Sequence, residues 1–266
     1  MIRVTLLGTG GSAGVPMIGG VDGRGDWGLC DPSEPRNRRT RASIVVDGGK
    51  GALLVDTAPD MRAQLLACAV SRVDAVLFTH AHADHIAGLD DVRILNRIAG
   101  RPLEAIATGA TLDELARRFD YAFRPWTPPG FYRPVLVARP TQPGETVFCA
   151  GMRVRLFDQD HFTTRTLGLR IGGFGYSTDA VALDEAAFAV LNGVDTWVVG
   201  CFQRTPHRTH AWLARALEWA GRVGARRTVL THMGPDLDWD WLQRNLPAGV
   251  EPGFDGQVLE CPDDPA

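Results

Sequence analysis

A chain of 266 residues with 45% hydrophobic and 22% charged residues has the composition of a globular protein long enough to bury a sizeable core. Its formal net charge of -3 supplies no global basic field, which argues against a nucleic-acid partner or an anionic membrane surface. No run of about 18 apolar residues occurs, and Cys30, Cys68, Cys149, Cys201 and Cys261 are odd in number and widely spaced, which predicts reduced thiols in a cytoplasmic protein and no disulfide framework.

The opening run Met1-Ile2-Arg3-Val4-Thr5-Leu6-Leu7 reads as a strand and is too short for a signal peptide. It enters Gly8-Thr9-Gly10-Gly11-Ser12-Ala13-Gly14-Val15-Pro16. That glycine run superficially offers a dinucleotide fingerprint, yet it leads into Val-Pro and not into a helix, so a tight turn that brings backbone close to a site is the better reading. Residues 17–41 then form a long Gly-, Pro- and charge-rich loop, and its closing Asn37-Arg38-Arg39-Thr40-Arg41 reads as a solvated charged surface.

Strands over 42–46 and 52–55 flank Asp47-Gly48-Gly49-Lys50-Gly51, a hairpin signal. Asp56 follows, placed either to orient a metal-binding imidazole or to cap a helix over 59–68. A buried strand over 73–78 runs into Thr79-His80-Ala81-His82-Ala83-Asp84-His85. Apolar residues across 86–92 have helical spacing, which puts Asp84 and His85 in a turn or at a helix start. A helix over 111–119 follows, then Pro125-Trp126-Thr127-Pro128-Pro129-Gly130-Phe131-Tyr132-Arg133-Pro134, a loop that either overhangs a pocket or packs its rings inward.

Strands resume over 135–138, 146–149 and 152–157, the last delivering Asp158-Gln159-Asp160-His161. A hairpin-like pair over 166–171 and 174–177 ends in Thr178-Asp179. A helix over 184–191 precedes a strand over 196–201. Leu213, Ala216, Leu217 and Ala220 mark an amphipathic helix with Thr209 as its N-cap, and a strand over 227–231 ends at His232. Hairpins followed by interleaved helices, twice over, predict an α/β fold of two β-sheets packed together with helices on their outer faces. No linker or repeat divides the chain, so residues 1–266 are expected to form one domain.

Three imidazoles and a carboxylate between His80 and His85 are too dense for a core to bury unpaired. A solvated loop is the plain alternative, but the chain has only seven histidines and the other four sit at equally suggestive places. Consecutive residues such as Asp84 and His85 point apart, which suits two metals better than one. His80, Asp84, His161, Asp179 and His232 each fall at or near the carboxyl end of an expected strand, where sites in layered α/β folds assemble. With His82 and His85 they offer seven ligands, enough for two divalent ions bridged by a carboxylate and a hydroxide. Zinc and manganese both suit this donor set. Such a pair, roughly 3.5–4 Å apart, activates water and clamps a phosphodiester. The leaving oxygen then needs a proton, and His207 and His210 are the two histidines left.

His80-x-His82-x-Asp84-His85, then His161, Asp179 and His232, resembles the ordered motif set of the metallo-β-lactamase superfamily, whose fold is an αβ/βα sandwich. The resemblance implies His80, His82 and His161 on one metal, Asp84, His85 and His232 on the other, and Asp179 between them. His82, where redox-active di-iron relatives carry a carboxylate, implies hydrolysis. Leu7 to Pro16, Ser177-Thr178-Asp179, Leu230-Thr231-His232 and Gly253-Phe254-Asp255-Gly256 are similar to the phosphoribosyl cyclic phosphodiesterases of the carbon-phosphorus lyase pathway, which are related to ribonuclease Z. That likeness implies a small cyclic ribose-phosphate or nucleotide diester as substrate, a homodimer, and His210 as general acid; His210 and Asp84 are the candidate catalytic residues. A thioesterase or lactonase and a tRNA 3′-processing endonuclease are the alternatives. These phosphodiesterases carry a structural zinc on closely spaced cysteines and a histidine. Here the loop keeps only Cys30 and Met233-Gly234-Pro235 follows His232, so no such zinc is expected and the loop must be held by other means.

Overall fold

Ile2, Val4 and Leu6 enter one buried cluster while Leu7 enters another, and the same alternation runs through Ile44, Val45 and Val46 and through Leu53, Leu54 and Val55. A strand buried on both faces has this period-two division, and it requires a layer on each side. The computed structural model, which describes residues 1–125 and 135–263, supplies those layers.

In chain order the first half holds β1 (Ile2–Gly8), β2 (Ser43–Asp47), β3 (Ala52–Val55), α1 (Met61–Ala67), β4 (Ala75–Leu77), α2 (Ala83–Ile86), α3 (Val92–Ala99), β5 (Leu103–Thr108), α4 (Gly109–Arg118), α5 (Asp120–Phe123) and β6 (Leu136–Thr141). The second half holds β7 (Thr146–Cys149), β8 (Met152–Asp160), β9 (Arg165–Ile171), β10 (Phe174–Ser177), α6 (Glu185–Leu191), β11 (Thr196–Gly200), α7 (Leu213–Val223), β12 (Arg227–Thr231), α8 (Trp239–Asn245), β13 (Val250–Pro252) and β14 (Val258–Cys261). The strands form two seven-stranded mixed sheets, in the orders β14-β1-β2-β3-β4-β5-β6 and β13-β12-β11-β10-β9-β8-β7. The expected sandwich of two mixed sheets flanked by helices is therefore the fold observed.

The central core lies between the sheets, where Val4, Ile44, Leu53 and Leu77 meet Leu156, Leu169, Tyr176 and Val198. Outside one sheet, Met61 and Leu65 of α1, Val92 and Leu95 of α3 and Leu112 and Leu115 of α4 cover Leu54 and Val76. Outside the other, Phe188, Trp219 and Leu242 of α6, α7 and α8 cover Trp197 and Val199. No helix among the described residues is long and apolar enough to cross a membrane.

Several local expectations change. The helix expected over 59–68 begins at Met61, and Asp60 before it pairs with Arg41 at 3.0 Å without capping the helix. The helical spacing after the histidines is broken into α2, a 3-10 turn at Leu89–Asp91, and α3. Thr209 does not cap α7; Trp212 occupies that position. Tertiary bonds hold the intervening segment out of the helix: Ala211 N–H donates to Ala180 O at 2.6 Å and Phe202 N–H to Ala211 O at 2.8 Å. Strand β5, helix α8 and the two last strands are additions to the elements read from sequence. Residues 126–134, most of the expected aromatic loop, lie outside the described residues.

The largest correction concerns Arg39, which is 1% exposed and no part of a solvated patch. Its Nη2 donates to Leu237 O at 2.7 Å and its Nη1 to Gly234 O at 3.3 Å, with Cys30 Sγ 3.9 Å away. Buried Asn37 donates to Asp238 Oδ2 at 2.8 Å. Main-chain carbonyls and a helix-capping carboxylate of the 234–238 segment thus accept the donors at the end of the 17–41 loop and hold that loop down.

Candidate metal centre

The centre forms along one edge of the sandwich, where strand ends from both sheets meet. Asp56 follows β3 directly, Asp179 comes two residues after β10, and His232 follows β12 directly. All three adopt the left-handed backbone region, with φ of 63°, 49° and 55°. That conformation costs a non-glycine residue roughly 1–2 kcal/mol, and concentrations of it mark functional sites. His80 follows β4 by three residues, His161 follows β8, and α2 carries Asp84 and His85 in its single turn with His82 just ahead of it.

The seven side chains expected to bind metal come together in two groups. His80, His82, His161 and Asp179 each offer a donor atom, all within 4.8 Å of one another, and so do Asp84, His85, Asp179 and His232. Asp179 belongs to both. Its Oδ2 lies 3.7 Å from His80 Nε2 and 3.7 Å from His161 Nε2, while its Oδ1 lies 3.4 Å from His85 Nε2 and 3.2 Å from His232 Nε2. Each oxygen of one carboxylate thus faces one group. In the second group Asp84 Oδ2 is 3.4 Å from His85 Nε2 and 3.5 Å from His232 Nε2.

The imidazoles are oriented from behind. His85 Nδ1 donates to Asp56 Oδ2 at 2.7 Å, and Asp56 also accepts from the backbone and hydroxyl of Thr79 at 2.8 Å each. His161 Nδ1 donates to Thr209 O at 2.7 Å, and His80 Nδ1 lies 3.0 Å from Thr79 Oγ1. These contacts leave the Nε2 atoms turned inward. Of the two sequence readings of Asp56, the observed one is the support of an imidazole.

A divalent cation fits what these residues present. His85 Nε2 and both His232 ring nitrogens are buried and have no hydrogen-bond partner among the described residues, although polar atoms so buried are normally satisfied. Borderline nitrogen donors converging with carboxylate oxygens are the donor set of zinc and manganese sites. At His80, Asp179 and Asp84 the electrostatics point the same way. At His85 burial is outweighed by Asp179 and Asp56, which hold it well above its ordinary pKa, so a cation would displace its Nε2 proton on binding. Burial, then the charge of His85, hold His80 well below its ordinary pKa, which keeps it a neutral donor. Burial would raise Asp179, but His232 and His85 hold it well below the carboxylate range. Asp84 is likewise lowered, its burial outweighed by His232 and His85.

His210 stands beside both groups and belongs to neither. Its ring is 4.6 Å from that of His161 and 4.9 Å from that of His232, and its Nδ1 is 3.9 Å from Asp179 Oδ2. Burial pushes its pKa down to about 3, with Asp179 pulling the other way. His207, unplaced from sequence, lies with its ring 5.3 Å from that of His210 and 4.8 Å from that of Phe202. Phe202 stacks on His210 at 4.9 Å and 27° and escapes sequence reasoning, since an aromatic just past a strand carries no signal of its own.

The family model described as the beta-lactamase superfamily domain matches residues 52–233. Among solved structures, a diphosphatase from the PhnP family is 33% identical with a TM-score of 0.87, covering 97% of this chain and 96% of that one. An octanoyltransferase of Porphyromonas gingivalis is 31% identical across 96% of this chain; the chain spans 51% of that protein's length. Ribonuclease Z of Mycobacterium sp. strain KMS is 28% identical, with 98% of this chain and 96% of that one covered.

Proposed function

Because this chain belongs to the beta-lactamase superfamily and, within it, to the PhnP family, a setting of metal-dependent hydrolases, we propose that it hydrolyses a small phosphodiester, in particular a cyclic ribose-phosphate or nucleotide diester. His80, His82 and His161 would hold one divalent ion and Asp84, His85 and His232 the other, with one Asp179 oxygen turned to each. Bound there, zinc or manganese would lower the pKa of a water and neutralise the nonbridging oxygens of the phosphoryl group.

The chain's own residues supply the rest. Asp84, kept ionised beside His85 and His232, would accept a proton from the attacking water with the carboxylate oxygen not turned to the metal. His210 delivers a proton to the departing sugar oxygen. The observation that carries this reading is that imidazole, close to both ligand groups and spent on neither. An alkoxide leaving group needs such a donor, whereas a thiolate leaving group does not. Burial and neighbouring histidines favour neutral His210, whereas an anionic phosphate would favour the protonated form, so the donor's proton would depend on bound substrate.

The test is turnover of 2′,3′-cyclic AMP by manganese- or zinc-loaded protein, with H210A in parallel. The reading expects turnover that H210A lowers roughly 10²- to 10⁴-fold. Cleavage of thioesters with no cyclic nucleotide turnover at full metal content would refute it.

A further inference from the structure

Hydrogen bonds fix several imidazoles of the centre, but not His210. His85 is tied to Asp56 and His161 to the carbonyl of Thr209. The carboxylate beside His210 is 3.9 Å from Nδ1, beyond hydrogen-bond range, and among the described residues its ring makes no hydrogen bond. Its surroundings are rings instead: Phe202 at 4.9 Å and 27°, His232 at 4.9 Å and 25°, and His161 at 4.6 Å and 57°.

Phe202 is itself firmly held. Its N–H donates to Ala211 O at 2.8 Å, next to His210, and its carbonyl accepts from Gly234 N–H at 2.8 Å, two residues past His232. The ring lies against Gly11, where an added Cβ would come 2.8 Å from Cε2. A Cβ on Gly234 would meet Phe202 O at 2.8 Å. Two glycines thus clear the space that this one residue fills. Yet Phe202 is half-buried and joins none of the three core clusters, so filling the core does not account for it.

We propose that Phe202 is the positioning residue for His210, setting the plane of the imidazole by stacking where no hydrogen bond does so. The proposal rests on the reading of His210 as proton donor. It also gives the glycine loop after β1 a purpose at Gly11, which is to leave room for the Cδ2–Cε2 side of the Phe202 ring beside backbone.

The experiment compares F202L, F202Y, H210A and F202L/H210A as metal-loaded proteins on 2′,3′-cyclic AMP and on bis(p-nitrophenyl) phosphate, whose leaving group departs without a proton. F202L should lower kcat on the cyclic nucleotide about 10- to 100-fold, with KM and metal content unchanged and a much smaller effect on the aryl ester. F202Y, which keeps the ring, should retain activity. In the H210A background F202L should add nothing, because the two residues act as a unit. Independently of turnover, the His210 Cε1–H resonance in a ¹H–¹³C spectrum should move in F202L, where the ring current is lost, and stay in F202Y. A loss equal on both substrates, a loss that adds to H210A, or an unmoved resonance overturns the assignment. An H210A enzyme as active as the parent overturns the proton-donor reading instead, and the resonance still decides whether Phe202 orders the ring. Should F202L not fold, G11A crowds the same ring at Cε2 and should reproduce the leaving-group-dependent loss.

Discussion

Asp56 Oδ2 accepts the Nδ1 proton of His85 at 2.7 Å, joining the end of one strand to the helix turn that carries Asp84 and His85. Neither residue reaches solvent. The bond fixes the tautomer that leaves His85 Nε2 free to bind metal, and a carboxylate in this position raises ligand basicity. D56N keeps the shape but weakens the acceptor. It should lower affinity at the Asp84–His85–His232 group by 10- to 100-fold in a competitive chelator titration, while the other group is less affected. Unchanged affinity would mean that Asp56 serves only to hold Thr79.

Asp179 faces His80 and His161 with one oxygen and His85 and His232 with the other. Metal that binds the folded chain alone stabilises it by about 2.7 kcal/mol per ion at a hundred times the dissociation constant. At this chain length that corresponds to a rise of roughly 5–10 °C in Tm, reversed by chelator. D179N should abolish the rise from both ions together, since no other residue belongs to both groups. A D179N protein that still takes up two ions per chain would contradict the shared position.

The parts of this fold that sequence reveals are those whose signal is local. The run from His80 to His85 carries its chemistry within one stretch, and the strands before His80 and His232 are apolar and β-branched enough, and the one before Asp179 aromatic enough, to be read directly. Leu103–Thr108 is not, because its two alanines and a glutamate give a weak strand pattern that only its neighbours β4 and β6 stabilise. Arg39 reads as a surface charge because the carbonyls of Gly234 and Leu237 that bury it lie almost 200 residues away along the chain. Phe202 is hidden for a similar reason: its stacking on His210 and its clearance over Gly11 are tertiary relations. Thr209 has the right side chain for a cap, but its carbonyl is committed to His161.

Arg39 offers a test of how the 17–41 loop is held. R39M keeps most of the buried volume but leaves the carbonyls of Gly234 and Leu237 without their donor. Each such loss costs about 1–3 kcal/mol, so urea unfolding should show a destabilisation of roughly 2–6 kcal/mol. Proteolytic cleavage between residues 17 and 30 should accelerate as well, because the loop would then be held by the Val15–Arg39 backbone pairing and by the bonds of Leu29 to Pro235 O and of Asp31 and Asn37 to Asp238, without its buried guanidinium. Equal stability and equal protease resistance would show that those remaining bonds suffice.

Asp238 makes the same attachment depend on pH. Its Oδ1 caps α8 by accepting from Trp241 N–H at 2.8 Å, and its Oδ2 accepts from Asn37 Nδ2 at 2.8 Å and Asp31 N–H at 3.1 Å. Burial would raise its pKa, but these donors, with the charge of Arg39, hold it below the ordinary carboxylate value. A group whose pKa is depressed by folding adds stability above its unfolded pKa, near 3.9, and loses it as pH falls through the lower folded value. At pH 7, D238N should therefore be less stable than the parent by about 1–2 kcal/mol, since an amide offers one acceptor where two are used. That difference should persist down to about pH 4 and shrink below it, as the parent's own carboxyl takes up a proton and loses the same acceptor. Urea midpoints of the two proteins at pH 7, 5, 4 and 3 test this. A gap that stays constant across the series would assign the role of Asp238 to shape and not to charge.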